Sequence, residues 1–209
     1  MKTTLTLLTL TALLSSGITN AAEEKEEGFR PLFNGKDTTG WKLRHPGGHN
    51  SWTIEPGGVL KNTVEKGNHG TDLLTEQKFW NFTARYEYMT PDNSNSGFYI
   101  RGRQEIQIFG DHGRGELTKS GNGAIYNFKA PDKFVTKPGG EWQTAEVTII
   151  GHRITVFLNG VKIHDNVECN QPTGGEIDDN MDVPGPILLQ GDHGTVSFRN
   201  LRIKELPKE

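Results

Sequence analysis

NSGFYIRGRQEIQIFGD, at residues 95–111, decides the fold class because apolar and polar side chains alternate along it. The even positions include Phe98, Ile100, Ile106 and Ile108, whereas most odd positions carry polar or amphipathic side chains. Successive side chains of a β-strand point to opposite faces of the sheet. This stretch therefore predicts β-structure with one face on a core and the other face free for binding.

The predicted binding face has an unusual composition for a solvated strand. Its row consists of Tyr99, Arg101, Arg103, Glu105 and Gln107. Antiparallel sheets often have one wet face, so a solvated outer surface is the alternative interpretation. Two guanidinium groups, a carboxylate, an amide and a phenol in one row instead favour a site that binds the hydroxyl groups of a carbohydrate.

The rest of the chain indicates an all-β fold. It has 26 Gly and 10 Pro in 209 residues, a composition rich in turn formers. Two hairpins are predicted, one turning at Gly151 and one at the Asn159-Gly160 pair. The predicted strands are 52–54, 59–61, 80–89, 96–103, 105–109, 124–127, 143–150, 153–158, 161–165, 187–190 and 195–205. We expect a jelly-roll β-sandwich of two antiparallel sheets.

The N-terminus predicts export from the cytoplasm. Residues 1–22 contain Lys2, a short apolar run and small residues before an acidic stretch, which is the order of a secretory signal peptide. We expect an acidic linker at 23–28 and a single domain at 29–209 in a secreted or periplasmic protein. No later segment is apolar for long enough to predict a membrane span.

Charge and cysteine content exclude several classes of function. The formal net charge is −3, which does not favour nucleic acid as a partner. Cys169 is the only cysteine, so no internal disulfide can form. The four tryptophans are expected in the core, as large aromatic residues usually are.

No cofactor is predicted, although a divalent ion is left open. No pair of His or Cys has zinc-ligand spacing. The loop PDNSNSG at 91–97 partly fits a calcium loop, but Arg103 stands where the bidentate Glu belongs, so a tight turn is the preferred interpretation. The acidic segment 176–182 is expected to be a solvated loop.

QEIQIFG, at 104–110, is close to the catalytic strand of laminarinase-type β-glucanases. Retaining glycosidases need two carboxyl groups about 5 Å apart. Glu105 fills the first position, but Gln107 replaces the next carboxylate. This replacement argues against an ordinary two-carboxylate β-glucanase.

Histidine supplies a second candidate base, since its pKa suits proton transfer near neutrality. His112 and His193 each lie in an Asp-His-Gly triplet after a predicted strand. A solvated turn is the alternative for both histidines. His193 is the stronger candidate because it closely follows Gln190 on a strand.

Seven segments, spread in order from residue 32 to residue 206, resemble the bacterial 3-keto-disaccharide hydrolase domain family. They are LFNGKDTTGW at 32–41, NSGFYIRGR at 95–103, EIQIF at 105–109, GAIY at 123–126, PGGEWQTAEVTI at 138–149, ITVFLNG at 154–160 and GPILLQGDHGTVSFRNLRIKEL at 185–206. The resemblance implies a concanavalin-like jelly roll that cleaves glycosides oxidised at C3. Independently of the family, a ketone at C3 acidifies the C2 proton, so a single base could start an elimination, and water could then add back.

The roles of individual residues in this reaction are assigned from the chemistry of their side chains. Glu105 or His193 is the expected base, and Arg101 or Arg103 the expected stabiliser of the enolate. The remaining predicted substrate-binding residues are Tyr99, Gln107, Tyr126 and Gln190, of which the two tyrosines are candidate stacking platforms. A non-catalytic, lectin-like carbohydrate-binding module is the alternative from another functional class.

Overall fold

The computed structural model describes residues 27–65 and 68–208. The predicted signal peptide and residues 23–26 of the predicted linker lie outside the described residues. Thirteen strands and no helix are assigned within the described ranges. They are β1 (Arg30–Pro31), β2 (Trp41–Leu43), β3 (Trp52–Glu55), β4 (Val59–Asn62), β5 (Leu73–Thr75), β6 (Phe82–Met89), β7 (Asn95–Ile100), β8 (Gln104–Phe109), β9 (Gln143–Ile150), β10 (Arg153–Leu158), β11 (Val161–Glu168), β12 (Leu188–Leu189) and β13 (Val196–Glu205).

The strands form two antiparallel sheets, which confirms the predicted all-β sandwich. The larger sheet has the order β11-β10-β9-β6-β13-β4-β3, with β1 paired to β13. The smaller sheet has the order β2-β5-β12-β7-β8. No helix that could cross a membrane occurs in the part of the chain that the structure describes.

The core lies between the two sheets. Alternate residues of β6 are buried, as their apolar pattern predicts, and the apolar residues of β7 and β8 face them. Tyr86 of β6 stacks on Phe98 of β7, with ring centroids 4.3 Å apart and ring planes 13° from parallel. This contact joins the two sheets directly.

The strongest sequence patterns agree with the observed strands. Strands 143–150 and 153–158 match β9 and β10 at both ends. Both predicted hairpins are confirmed, and Gly151, Asn159 and Gly160 have the positive φ angles that such turns need. The prediction of a strand at 124–127 is wrong, because Ile125 forms only isolated bridges. The short strands β1, β2 and β5 were not predicted, since they are too short to show alternation.

The predicted single polar row from Tyr99 to Gln107 is also wrong. Arg101 and Gly102 have φ angles of 53° and 68°, and the Arg103 N–H donates to the Ile100 carbonyl at 3.0 Å. The chain therefore turns back on itself, and β7 pairs with β8. Tyr99 lies opposite Glu105, while both arginines lie in the turn.

Candidate functional site

The outer face of the smaller sheet carries two adjacent rows of side chains. Leu188 pairs with Leu74 on one side and Tyr99 on the other, and Tyr99 pairs with Glu105. Leu74, Tyr99 and Leu188 form a small cluster separate from the main core, so this row faces outward. Residues two positions further along these strands make the second row: Asp72, Gln190, Gly97 and Gln107.

Glu105 leans from the first row over Gly97 in the second. A Cβ atom at position 97 would lie 2.2 Å from Glu105 Oε1, so only glycine leaves room for the carboxylate. The Glu105 side chain is buried, and the Tyr99 hydroxyl donates to its Oε2 at 2.9 Å. Burial raises the pKa of Glu105 to about 7, against the opposing effects of the Tyr99 hydrogen bond and the His193 charge. The carboxyl group therefore titrates near neutrality.

Tyr99 positions Glu105 and is not a stacking platform. Tyr99 is only 2% exposed, and its ring packs in the cluster with Leu74 and Leu188. Burial raises the pKa of the Tyr99 hydroxyl, so this group remains a hydrogen-bond donor. Gln190 Nε2 lies 3.4 Å from the same hydroxyl. The prediction that Tyr99 stacks on a sugar ring is therefore wrong.

His193 lies at the rim of this face, where its side chain is about half exposed. Its Nδ1 donates to Asp192 Oδ1 at 2.5 Å. That hydrogen bond raises the pKa of His193 above its ordinary value, and the negative charge of Glu105 acts in the same direction. Since the charges of His193 and Glu105 influence each other, the two groups share one local environment. The site therefore combines a buried carboxyl group whose pKa is near neutrality with a half-exposed imidazole whose pKa is raised.

Arg44 and Asp72 complete the site, although no motif or alternation pattern singles them out. Asp72 is buried, which raises its pKa; its Oδ1 accepts from the Gly191 N–H at 3.0 Å and its Oδ2 accepts from Arg44 at 3.1 Å. Arg44 also donates to the carbonyl oxygens of Gly175 and Glu176, each at 2.7 Å. The Arg44–Asp72 pair therefore links two loops. One contains Gly191 and leads to His193, and the other contains Gly175 and lies against Tyr99.

Gln107 and Gln190 have unused hydrogen-bonding capacity in the row next to Glu105. The Oε1 atoms of Gln107 and Gln190 are buried and have no hydrogen-bond partner within the described ranges. Buried acceptors without partners are costly, which favours a ligand that donates to them. Tyr126 is half-buried; its N–H donates to the Glu105 carbonyl at 3.0 Å.

Arg101 and Arg103 are directed to other partners. Arg101 lies 3.9 Å above the Trp80 ring and donates to the Gly151 carbonyl, and burial lowers its pKa to about 10. Arg103 donates to both carboxylate oxygens of Asp178, at 2.6 and 3.0 Å. The expectation that either guanidinium lies beside the Glu105 carboxylate is wrong. Both arginines instead fasten the hairpin turn to surrounding loops.

The segments considered for metal binding have structural contacts of their own. The Ser94 N–H donates to the Pro91 carbonyl at 3.1 Å, as expected for a tight turn. Asp178, in the acidic segment, binds Arg103. Among the residues that the structure describes, no group of three or more His, Cys, Asp or Glu is arranged to hold a metal ion.

The tryptophans divide into two pairs. Trp41 and Trp52 are buried in the core, as predicted. Trp80 and Trp142 are only partly buried, and each has an arginine guanidinium about 4 Å from its ring. The expectation of core burial is therefore wrong for Trp80 and Trp142.

Comparisons with known proteins agree with this fold. The profile of the 3-keto-alpha-glucoside-1,2-lyase-like domain matches residues 28–204. A candidate glycosyl hydrolase from Parabacteroides distasonis ATCC 8503 is 28% identical, with 86% of this chain and 84% of that chain covered and a TM-score of 0.69. Another from the same organism is 25% identical, with 88% and 97% covered and a TM-score of 0.71.

A more distant structure shares the fold alone. The laminarinase from Flavobacterium sp. UMI-01 is 12% identical, with 84% of this chain and 98% of that chain covered and a TM-score of 0.54. No curated protein sequence matches the chain significantly.

Proposed function

The chain belongs to the family of 3-keto-alpha-glucoside-1,2-lyase-like domains, and we propose that it cleaves glycosides whose sugar ring carries a ketone at C3. Family membership and the similar glycosyl hydrolase structures support an enzyme that acts on glycosides. The oxidised substrate and the mechanism below are the proposal.

The proposed reaction is an elimination. A ketone at C3 acidifies the proton on C2, so a base can remove that proton to give an enolate. The C1–O bond then breaks with its electron pair on the glycosidic oxygen, a C1=C2 double bond forms, and the departing oxygen takes a proton. Addition of water across the double bond completes a net hydrolysis. This route needs one base and one acid, which fits a strand that has Gln107 in place of a second carboxylate.

Glu105 is the base in this proposal, and His193 is the acid. The observation that carries the assignment is the buried Glu105 carboxylate, held by Tyr99, with a pKa raised to about 7 by burial. A base with a pKa near the working pH is the most effective for proton transfer. The hydrogen bond to Asp192 raises the pKa of His193, which favours its protonated form and suits it to the role of proton donor. Gln107 and Gln190 accept hydrogen bonds from sugar hydroxyls.

The test compares a 3-keto-glucoside with the same glucoside unoxidised, and follows release of the leaving group by the purified protein. We expect release from the oxidised compound alone, slowed when C2 carries deuterium. Release from both compounds would instead support an ordinary glucanase. Binding of sugar without any release would support the lectin-like module and contradict the proposal. The predicted signal peptide supports a secreted or periplasmic location for this proposed activity.

A further inference from the structure

The loop that carries His193 connects the two sheets. It runs from Gly191 to Gly194, after β12 of the smaller sheet and before β13 of the larger sheet. Both of its ends lie close against neighbouring residues. A Cβ atom at Gly191 would be 2.4 Å from the Thr71 carbonyl oxygen. One at Gly194 would be 2.5 Å from Ser94 Oγ. The position of His193 therefore depends on the contacts that fix this loop.

Asn62 holds both ends of the loop with one side chain. It is the last residue of β4, in the larger sheet, and it is fully buried. Its Nδ2 donates to the Gly191 carbonyl at 3.0 Å and to the Gly194 carbonyl at 2.8 Å. A side-chain amide has two N–H donors, so both of them serve this loop. Asp192 and His193 thus lie in a loop that one planar group closes.

The Asn62 amide is itself fixed in orientation. Ser51 Oγ donates to its Oδ1 at 2.5 Å. An amide turned the other way would place its oxygen against the two loop carbonyls and lose both bonds to them. Both Asn62 and Ser51 are buried, where an unmade hydrogen bond is costly. The hydrogen bonds therefore specify one orientation of the amide and one separation of the loop ends.

Asp192 then directs the side chain of His193. Its Oδ1 accepts from His193 Nδ1, which leaves Nε2 to carry the other proton of the imidazolium. In the proposed elimination the glycosidic oxygen keeps the electron pair of the C1–O bond and takes this proton from Nε2. The Asp192 carbonyl oxygen also accepts from His69 Nδ1 at 2.7 Å. The imidazole can deliver its proton only where the loop places it.

We infer that Asn62 is a positioning residue for the proton donor, holding the 191–194 loop so that His193 stands at the rim of the face that holds Glu105. The inference rests on the proposed function, in which His193 protonates the departing oxygen. Asn62 is fully buried, so it acts through the loop and not on the substrate. Its importance should depend on the leaving group. An oxygen that departs as a strong base needs a proton, whereas one that departs as a stable anion does not.

The experiment compares two 3-keto substrates that differ only in the leaving group, a methyl and a 4-nitrophenyl 3-keto-glucoside. Methoxide must be protonated as it leaves, whereas 4-nitrophenolate leaves as a stable anion. In Asn62→Ala we expect the ratio of the kcat/KM values, methyl over 4-nitrophenyl, to fall roughly 10- to 100-fold, because only the methyl compound needs the donor. A merely structural loss would lower both values equally and leave the ratio unchanged.

Asn81→Ala is the matched control, because Asn81 is also a buried amide that fastens backbone segments. Its Nδ2 donates to the Pro207 carbonyl and its Oδ1 accepts from the Gly151 N–H, each at 2.8 Å. It lies at the opposite end of β13 from Asn62. Asn81→Ala should leave the ratio at its wild-type value.

A second variant guards against misfolding of the first. Ser51→Ala removes the hydroxyl that orients the amide but keeps the amide, so the same ratio should fall by a smaller factor, about 3- to 10-fold. NMR titration supplies a measurement that needs no activity. The pKa of His193 should be lower in either variant than in wild type, since the Asp192 hydrogen bond that raises it depends on the loop.

The outcomes separate the inference from the proposed function. An unchanged ratio in both variants, or an unchanged His193 pKa, overturns the positioning role of Asn62 and leaves the proposed function intact. A wild-type protein that cleaves neither compound overturns the proposed function instead. The NMR titration then still tests whether Asn62 positions His193.

Discussion

The buried Glu105 carboxylate is unfavourable for stability, and the same burial suits it to the role of base that we propose for it. Burial withdraws water from its carboxylate, and the Tyr99 hydrogen bond only partly compensates for that loss. The folded protein therefore binds a proton at Glu105 that the unfolded chain has already released between about pH 4.5 and 7. The free energy of unfolding must fall as pH rises through this window.

Replacing Glu105 with Gln should separate these two effects. We expect kcat on a 3-keto-glucoside to fall about 10²- to 10⁴-fold, because the base is lost. Above pH 7 the same variant should be more stable than wild type, by roughly 1–3 kcal/mol, because no charge remains to be buried. Thermal unfolding at pH 5 and pH 8 measures the second effect. A variant with full activity would remove Glu105 from the mechanism.

His193 should define the alkaline side of the pH profile. In the proposed mechanism the rising limb of kcat/KM follows the loss of the Glu105 proton, and the falling limb follows the loss of the His193 proton, whose pKa Asp192 raises. Asp192→Asn removes the hydrogen bond that raises the His193 pKa, so the falling limb should move to lower pH. Asp165→Asn, which breaks an exposed ion pair with Lys162, is the matched control. A falling limb that stays in place in Asp192→Asn would contradict the role of His193.

At the scale of elements, the hairpin of β7 and β8 builds the site. Its register places Gly97 opposite Gln107 and Tyr99 opposite Glu105, so the carboxylate finds both its hydrogen-bond donor and its open space on the neighbouring strand. A methyl group at position 97 would occupy the place of the carboxylate. The proposed activity therefore depends on glycine, with no side chain, at position 97.

Gly97→Ala should displace the base without removing it. We expect kcat to fall about 100-fold, as a displacement of about 1 Å can cause. Gly47→Ala is the matched control, because a Cβ there meets no atom within 4 Å and Gly47 has no positive φ. The prediction fails if both variants retain the same kcat.

The Arg44–Asp72 ion pair holds two loops of the site together. Arg44 contacts the loop at 175–176, and Asp72 contacts the loop that leads to His193. Arg44→Met should leave the buried Asp72 carboxylate without its cation and release the loop that contacts Tyr99. The free energy of unfolding should drop by about 1–3 kcal/mol. Denaturant unfolding measures this loss, and Lys162→Met, in an exposed ion pair, should change it far less.

The sequence predicted the elements whose patterns are local. Alternation identified β6, β9 and β10, because one face of each strand packs on the core. Alternation failed to predict the turn between β7 and β8. Arginine seldom adopts the positive φ angle that Arg101 has there, and the polar residues occupy odd positions on both sides of the turn, so the pattern shows no break. Arg44 and Asp72 could not be selected, since their importance comes from contacts with loops more than 100 residues away.

At the scale of the whole molecule, the sandwich is stabilised without a covalent crosslink. Cys169 is the single cysteine and is buried, and burial raises the pKa of its thiol. A buried, protonated thiol reacts slowly with oxidants. The protein should therefore behave identically in oxidising and reducing surroundings.

Thermal unfolding with and without a reducing agent checks this expectation. The midpoint should be the same under both conditions, and non-reducing electrophoresis should show only monomeric chain. A midpoint that falls on reduction would reveal a disulfide between chains and contradict the buried position of Cys169.

The position of β12 in the smaller sheet has a consequence for folding. Tyr99 and Glu105 are six residues apart and can meet as soon as their hairpin closes, whereas Gln190 lies 91 residues beyond Tyr99. β12 must insert between β5 and β7, pairing on both sides with strands far earlier in the chain. Contacts of such long range form slowly. During refolding Glu105 can thus meet Tyr99 early, but the flanking strands, Asp192 and His193 join the site only when the sheet closes, so the proposed activity should be among the last properties to return.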